Sequence, residues 1–132
     1  MVCSSSPADV ERVIQLRQQH PELHICLGLH PLDDSPCGPS SGSTLSPGFE
    51  EHWPSVREVI RAEHLERRLA AVGEIGLDFS RPLLRQKAEA KGVSEAQVKQ
   101  QQLRAFESQV KLAIELNLPV NVRAAQGILV DL

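Results

Sequence analysis

The sequence is nearly devoid of aromatic residues, with one Trp, three Phe and no Tyr among 132 residues. A surface that binds single-stranded nucleic acid by stacking bases needs several aromatic side chains. The composition therefore argues against a binding module of that kind. It also predicts that branched aliphatic residues build the core.

An excess of positive charge is also absent, because 14 Lys and Arg face 17 Asp and Glu, giving a net charge of −3. No basic stripe is present that could hold DNA or RNA through phosphate contacts alone. Any binding of a polyanion would need a metal ion or a local pocket.

Cysteines are few and irregularly placed, at Cys3, Cys26 and Cys37. An odd number without a CxxC pair disfavours a disulfide framework or a zinc knuckle. No apolar run approaches the ~20 residues that a membrane helix needs, and the N-terminus does not resemble a secretion signal. We expect a soluble, intracellular protein, cytoplasmic or nuclear, without a membrane partner.

Common catalytic motifs are missing as well. The sequence contains no G-x-S-x-G turn, no phosphate-binding G-x-x-x-x-G-K-[ST] loop and no G-x-G-x-x-G fingerprint. Four of the five histidines lack the HxH, HxxH or HExxH spacing that brings two imidazoles onto one metal; we expect them at the surface or at helix ends: His20, His24, His52 and His64.

Helical and strand-like patterns alternate along the chain. Apolar residues recur at helical spacing after Ser6-Pro7, around Val56–Ile60, and from Ser94 to Leu116, where Ser94 and Gln97 have capping-box spacing. Short apolar runs predict strands at 23–29, 69–77 and 118–122, and residues 31–50, rich in Pro, Gly and Ser, predict a long loop or an insertion. This alternation is typical of an α/β fold with about three parallel strands and outer helices.

Three candidate positions fall at or near the predicted strand ends, where parallel α/β proteins place their active sites. They are His30, Glu74 with Asp78 nearby, and Arg123. His30 could bind a metal or a phosphate oxygen, or be a loop histidine without a function. Glu74 lies in an apolar strand and needs a partner, either a divalent metal or an Arg or Lys from a neighbouring strand.

Four ordered motifs give a resemblance to a known family. They are Gly-Leu-His-Pro at 28–31, Ala-Val-Gly-Glu-Ile-Gly-Leu-Asp at 71–78, Gln-x-x-x-Phe-x-x-Gln at 102–109 and Leu-Ala-x-x-Leu-x-Leu-Pro-Val at 112–120. Over about residues 8–122 the sequence resembles the TatD family of metal-dependent deoxyribonucleases. The Asp-Phe-Ser at 78–80 is most similar to the TatD domain-containing protein 3 branch.

The resemblance implies a TIM-type (β/α) barrel and a phosphodiesterase that uses two divalent metal ions, Mg, Mn or Zn, on DNA. It implies that Glu74 is a metal ligand and that His30 belongs to the catalytic pocket. Two metals in such a site would activate a water and stabilise the leaving oxygen.

The sequence also departs from the family pattern. The family opens with a His-x-His strand that supplies two ligands, whereas this chain begins just before its first predicted helix. After Leu-Pro-Val the family has a His ligand two or so residues on, where this chain has Arg123, and residues 123–132 form a divergent tail. We therefore expect Arg123 to neutralise Glu74 in place of a metal.

These departures predict that residues 1–132 form a single incomplete TatD-like domain with a partial TIM-type barrel, an internal fragment or a truncated isoform that is inactive as it stands. The alternative is a non-catalytic fragment that acts as an interaction module. Its open sheet edges and exposed apolar faces could then recruit a partner or a second copy of the chain.

Overall fold

The computed structural model describes residues 1–30 and 49–124. Within these ranges the strands are β1 (Val2–Cys3), β2 (Ile25–Leu27), β3 (Leu69–Leu77) and β4 (Val120–Ala124). The helices are α1 (Pro7–Gln19), α2 (Phe49–Leu65), α3 (Arg81–Lys91) and α4 (Glu95–Leu116). Helices and strands alternate except that α3 and α4 follow one another.

The four strands form one parallel sheet in the order β1-β2-β3-β4, so each strand lies beside its neighbour in the sequence. The sheet curls, since the amide of Glu74 in β3 donates to the carbonyl of Ser4 after β1, over the end of the short β2. This arrangement confirms the predicted α/β fold with a partial TIM-type barrel.

The described residues contain four strands, against the prediction of about three. β1 contains only Val2 and Cys3, paired with Ile25 and Cys26. A segment of two residues is too short to show any periodicity, so only its pairing with β2 reveals it as a strand. β4 also begins and ends two residues later than the predicted run at 118–122.

Helix α3 was not predicted from the sequence. Only Leu84 and Ala88 of its eleven residues are buried, and they pack in a small second cluster with Val98 of α4. Two buried residues four positions apart give too weak a pattern to distinguish a helix from a polar loop. The helix ends at Gly92, which adopts a left-handed conformation with φ of 64°.

The predicted helix starts are confirmed by their capping contacts. The Ser6 side chain accepts from the amide of Asp9 at the start of α1, and Pro7 occupies the first helical position. At the start of α4, Ser94 and Gln97 form a reciprocal capping box.

The main core lies between the outer face of the sheet and helices α1, α2 and α4. Its largest fully buried aliphatic residues come from β2, α2 and β3: Ile25, Leu27, Ile60, Ile75 and Val72. Leu112 and Ala113 of α4 join the same cluster. Aliphatic residues thus supply most of the core, as the composition predicts.

Much of the two segments set apart by composition lies outside the described residues. Of the predicted loop or insertion at 31–50, residues 49 and 50 belong to α2. Of the predicted divergent tail at 123–132, Arg123 and Ala124 belong to β4. No helix in 1–30 or 49–124 has the length and apolar character needed to cross a membrane.

Replacement of Ile60 by Ala tests the packing of α2 on the sheet. The Ile60 side chain is completely buried, so we expect the free energy of unfolding to fall by about 2–5 kcal/mol, measured by urea denaturation followed by circular dichroism. Leu65→Ala on the same helix is the matched control, since Leu65 is 81% exposed and should change stability by less than about 0.5 kcal/mol. Equal losses in both variants would contradict this packing.

Candidate functional site at the strand ends

His30, Glu74 and Arg123 come together near the carboxyl ends of three neighbouring strands, and we call these three residues the strand-end site. His30 follows β2, Glu74 lies within β3, and Arg123 lies in β4 opposite Gly76. The structure thus brings together the positions that the sequence predicted from strand ends. Glu74 lies inside β3, as expected from its position in the predicted apolar strand.

The His30 side chain is buried and reaches β4. Its Nε2 atom lies 3.3 Å from the carbonyl oxygen of Arg123. A carbonyl oxygen only accepts hydrogen bonds, so a hydrogen bond at this contact requires a proton on Nε2. The backbone amide of His30 donates to the carbonyl of Ser5 at 2.7 Å, which holds the residue against the segment after β1.

Glu74 is paired with a cation from the neighbouring strand. The Nε atom of Arg123 lies 3.9 Å from Oε1 of Glu74, and the two side chains are 68% and 26% exposed. The prediction that Arg123 pairs with Glu74 is confirmed. A pair this long and this exposed stabilises the fold by about 0.2–1 kcal/mol at most, so it can open at little cost.

Asp78 has a local structural role. Its Oδ1 atom accepts from the amide of Ser80 at 2.8 Å, which turns the chain into α3. Its own backbone N–H and C=O are both bound by the Gln102 side chain. The carboxylate is therefore directed to the turn rather than to the strand-end site.

Glycines allow the strands to approach closely around Glu74 and His30. A Cβ on Gly28 would lie 2.8 Å from the backbone of Gly73, and one on Gly73 would lie 2.7 Å from the Asn121 side chain. A Cβ on Gly76 would overlap the carbonyl of Arg123 and lie 2.7 Å from His30 Nε2. These positions exclude any larger residue without movement of a strand.

The concave face of the sheet also carries two thiols. Asn121 Nδ2 lies 3.1 Å from the Cys3 sulfur, which joins β4 to β1 across the concavity. Burial, followed by a hydrogen bond with Cys3, raises the pKa of the Cys26 thiol to about 12. Cys26 is therefore protonated at neutral pH and is not a nucleophile.

The described residues do not by themselves fit two divalent metal ions. In residues 1–30 and 49–124, no three His, Cys, Asp or Glu side chains are grouped so as to hold a metal. Glu74 already faces Arg123, and Asp78 is bound to its own turn. Tight sites of this kind need three or more protein ligands for each ion, whereas the strand-end site offers one carboxylate and one imidazole.

Sequence reasoning missed the buried polar side chains that hold this region together. Ser4 Oγ donates to the carbonyl of Gly28 at 2.9 Å and accepts from its amide at 3.0 Å. Gln109 binds the amide and carbonyl of Leu29 in the same way. A signal existed for the glutamines, because Gln102 and Gln109 interrupt the apolar face of α4 at a spacing of two helical turns.

Comparison with known proteins finds a family model and several relatives that match this chain. The family model described as TatD related DNase matches residues 1–126. The human protein named Deoxyribonuclease TATDN3 is 30% identical over 117 residues, which are 88% of this chain and 37% of the human protein. TATDN3 proteins of zebrafish and mouse are 30% and 33% identical, over 89% and 88% of this chain and 38% and 34% of their own lengths. The chain thus spans little more than a third of these relatives.

Substitution of Gly76 by Ala tests the close approach of β3, β4 and His30. The added methyl group would overlap the Arg123 carbonyl, so we expect a loss of about 1–3 kcal/mol in the free energy of unfolding and a shift of the His30 ring signals in NMR spectra. Gly92→Ala is the control: nothing lies near its Cβ, so the His30 signals should stay in place although the left-handed backbone costs about 1 kcal/mol. Unchanged His30 signals in Gly76→Ala would contradict the geometry.

Proposed function

Since this chain belongs to the TatD related DNase family, we propose that it contributes to the hydrolysis of DNA phosphodiester bonds, with Glu74 as a metal ligand and His30 lining the substrate pocket. The observation that supports this most is the convergence of His30, Glu74 and Arg123 at one end of a parallel sheet. Active sites of barrel enzymes occupy that end. The family model matches residues 1–126, a range that contains all three residues.

Arg123 gives the strand-end site a means to bind the DNA backbone. Its guanidinium is 68% exposed and only loosely paired with Glu74, so most of its N–H donors face solvent. A planar guanidinium matches the geometry of a phosphate group and can bind two of its oxygens. We propose that Arg123 holds a phosphate beside His30 at the mouth of the site.

The same residue limits metal binding. A metal at Glu74 must compete with the positive charge 3.9 Å away, and the described residues add no third ligand. We therefore propose that this chain by itself binds DNA weakly and cleaves it slowly or not at all. The net charge of −3 further weakens binding of a polyanion and makes it sensitive to salt.

Calorimetric titration with Mn²⁺ and with Zn²⁺, paired with a nuclease assay on single-stranded DNA, tests this proposal. We expect weak metal binding, weak DNA binding that falls as salt rises, and little turnover. Tight binding of two ions per chain with turnover would show that other residues complete the site. No DNA binding even at low salt would reject the role of the site in phosphate recognition.

Replacing Arg123 by His restores the type of ligand that the family resemblance implies at this position. We expect only a slight rise in metal affinity over the wild type, since one carboxylate and one or two imidazoles still leave the ion short of ligands. Arg123→Gln is the control, because it removes the cation without adding an imidazole. Nanomolar binding of Zn²⁺ by Arg123→His would overturn the argument.

A second candidate function, self-association, is favoured by the edge strand β4. Among residues 1–30 and 49–124 this strand lies at the edge of the sheet, and Val120 and Val122 are 39% and 47% exposed. Ile114 on the preceding helix is 73% exposed. An exposed apolar edge strand is a template for pairing with another chain, and we propose that a second copy of this chain pairs there.

The intracellular location of the protein stays a prediction.

Sedimentation velocity over a range of concentrations tests this pairing. We expect wild type to associate as concentration rises and Val122→Lys to remain monomeric, because a charge on the edge opposes pairing. Leu65→Lys, at an exposed position on α2, should associate as wild type does. A wild type that is monomeric throughout would reject self-association.

A further inference from the structure

Two buried glutamines of α4 each bind the backbone N–H and C=O of a single residue that follows a strand. Gln109 accepts from the Leu29 amide at 2.8 Å and donates to the Leu29 carbonyl at 2.9 Å. Gln102 accepts from the Asp78 amide at 2.8 Å and donates to the Asp78 carbonyl at 2.8 Å. The two glutamines are only 1% and 4% exposed.

These contacts begin where the backbone ladder stops. β2 ends at Leu27 and β3 ends at Leu77, so Leu29 and Asp78 lie just past the strands. A side-chain amide has one acceptor oxygen and a donor NH₂ group, and it can therefore replace a neighbouring strand for one residue. Glutamates lack the donor when ionised, and methionines of similar length lack both groups.

A single helix, α4, thus fixes the positions of the residues that follow β2 and β3. Gln102 and Gln109 are seven residues apart, which places them on the same face of the helix. Gln109 holds the residue directly before His30, and Gln102 holds the residue directly after the strand that carries Glu74. The distance between Leu29 and Asp78 is consequently set by the length of two turns of α4.

We propose that Gln102 and Gln109 are positioning residues for the strand-end site, which hold the chain so that His30 and the Arg123 guanidinium beside Glu74 face one bound phosphate group. This inference rests on the proposed function, because it assigns the two glutamines a role in DNA binding through other residues. Neither glutamine touches the phosphate itself. A purely structural role would affect stability alone and leave the arrangement of His30 and the affinity of the folded protein unchanged.

Substitutions of Gln109 in the full chain separate these roles. Gln109→Met keeps the length of the side chain and removes both hydrogen bonds, and Gln109→Glu keeps the acceptor for the Leu29 amide. Gln101→Met is the matched control, since Gln101 is exposed on the same helix. The measurements are urea denaturation, the NMR signals of the His30 ring, and the affinity for a fluorescent oligothymidylate at low salt.

In Gln109→Met that remains folded, we expect displaced His30 signals and a dissociation constant for the oligonucleotide about tenfold above wild type. Gln109→Glu should lose affinity as well, because its buried carboxylate would face the Leu29 carbonyl, and Gln101→Met should match wild type within about twofold. Wild-type affinity and unmoved His30 signals in a folded Gln109→Met would overturn the proposal.

Hydrogen exchange of the wild-type chain keeps the inference testable if the variants do not fold. The amides of Leu29 and Asp78 should exchange at least about 100-fold more slowly than free loop amides, because each is buried and bound to a glutamine. Rapid exchange at both amides would show that the glutamines do not hold Leu29 and Asp78 in solution. If wild type does not bind the oligonucleotide, the proposed function fails, and the His30 signals of Gln109→Met then decide the positioning role separately.

Discussion

The arrangement of the strand-end site depends on how peptide groups are satisfied after β2 and β3 end. A buried N–H or C=O without a partner costs about 1–3 kcal/mol, and β2 is only three residues long. Ser4 binds Gly28, Gln109 binds Leu29 and Gln102 binds Asp78, each through both backbone groups. The Ser4 side chain directly after β1 and two side chains of α4 thus continue the hydrogen bonding that the sheet itself does not supply.

The glycines on the inner face are the steric counterpart of these hydrogen bonds. Gly28 and Gly73 let β2 and β3 approach each other, and Gly76 leaves room for both the Arg123 carbonyl and His30. With side chains at these positions, Ser4 could not reach over β2 to the amide of Glu74. The curl of the sheet and the position of Glu74 therefore both depend on the close approach of β2 and β3 at these glycines.

Sequence reasoning predicted the parts of this structure that depend on local pattern. The bounds of β3 agree with its apolar run at 69–77, and the capping box at Ser94 and Gln97 marks the start of α4. β1 was not predicted because a strand of two residues shows no hydrophobic periodicity. α3 was not predicted because it buries only two side chains. The spacing of Gln102 and Gln109 on the apolar face of α4 marks them as buried, but the peptide groups that they bind lie 24 and 80 positions away, and no local pattern identifies those partners.

The capping box of α4 has a consequence for how this protein can change in length. It fixes the first residue of the helix, and every residue added or removed after it rotates the following positions by about 100°. A single insertion between Gln97 and Gln102 would turn both glutamines away from Leu29 and Asp78, whereas an insertion after Gln109 would leave both in place. Between Gln97 and Gln109, α4 can therefore accept substitutions at its exposed positions but not insertions or deletions.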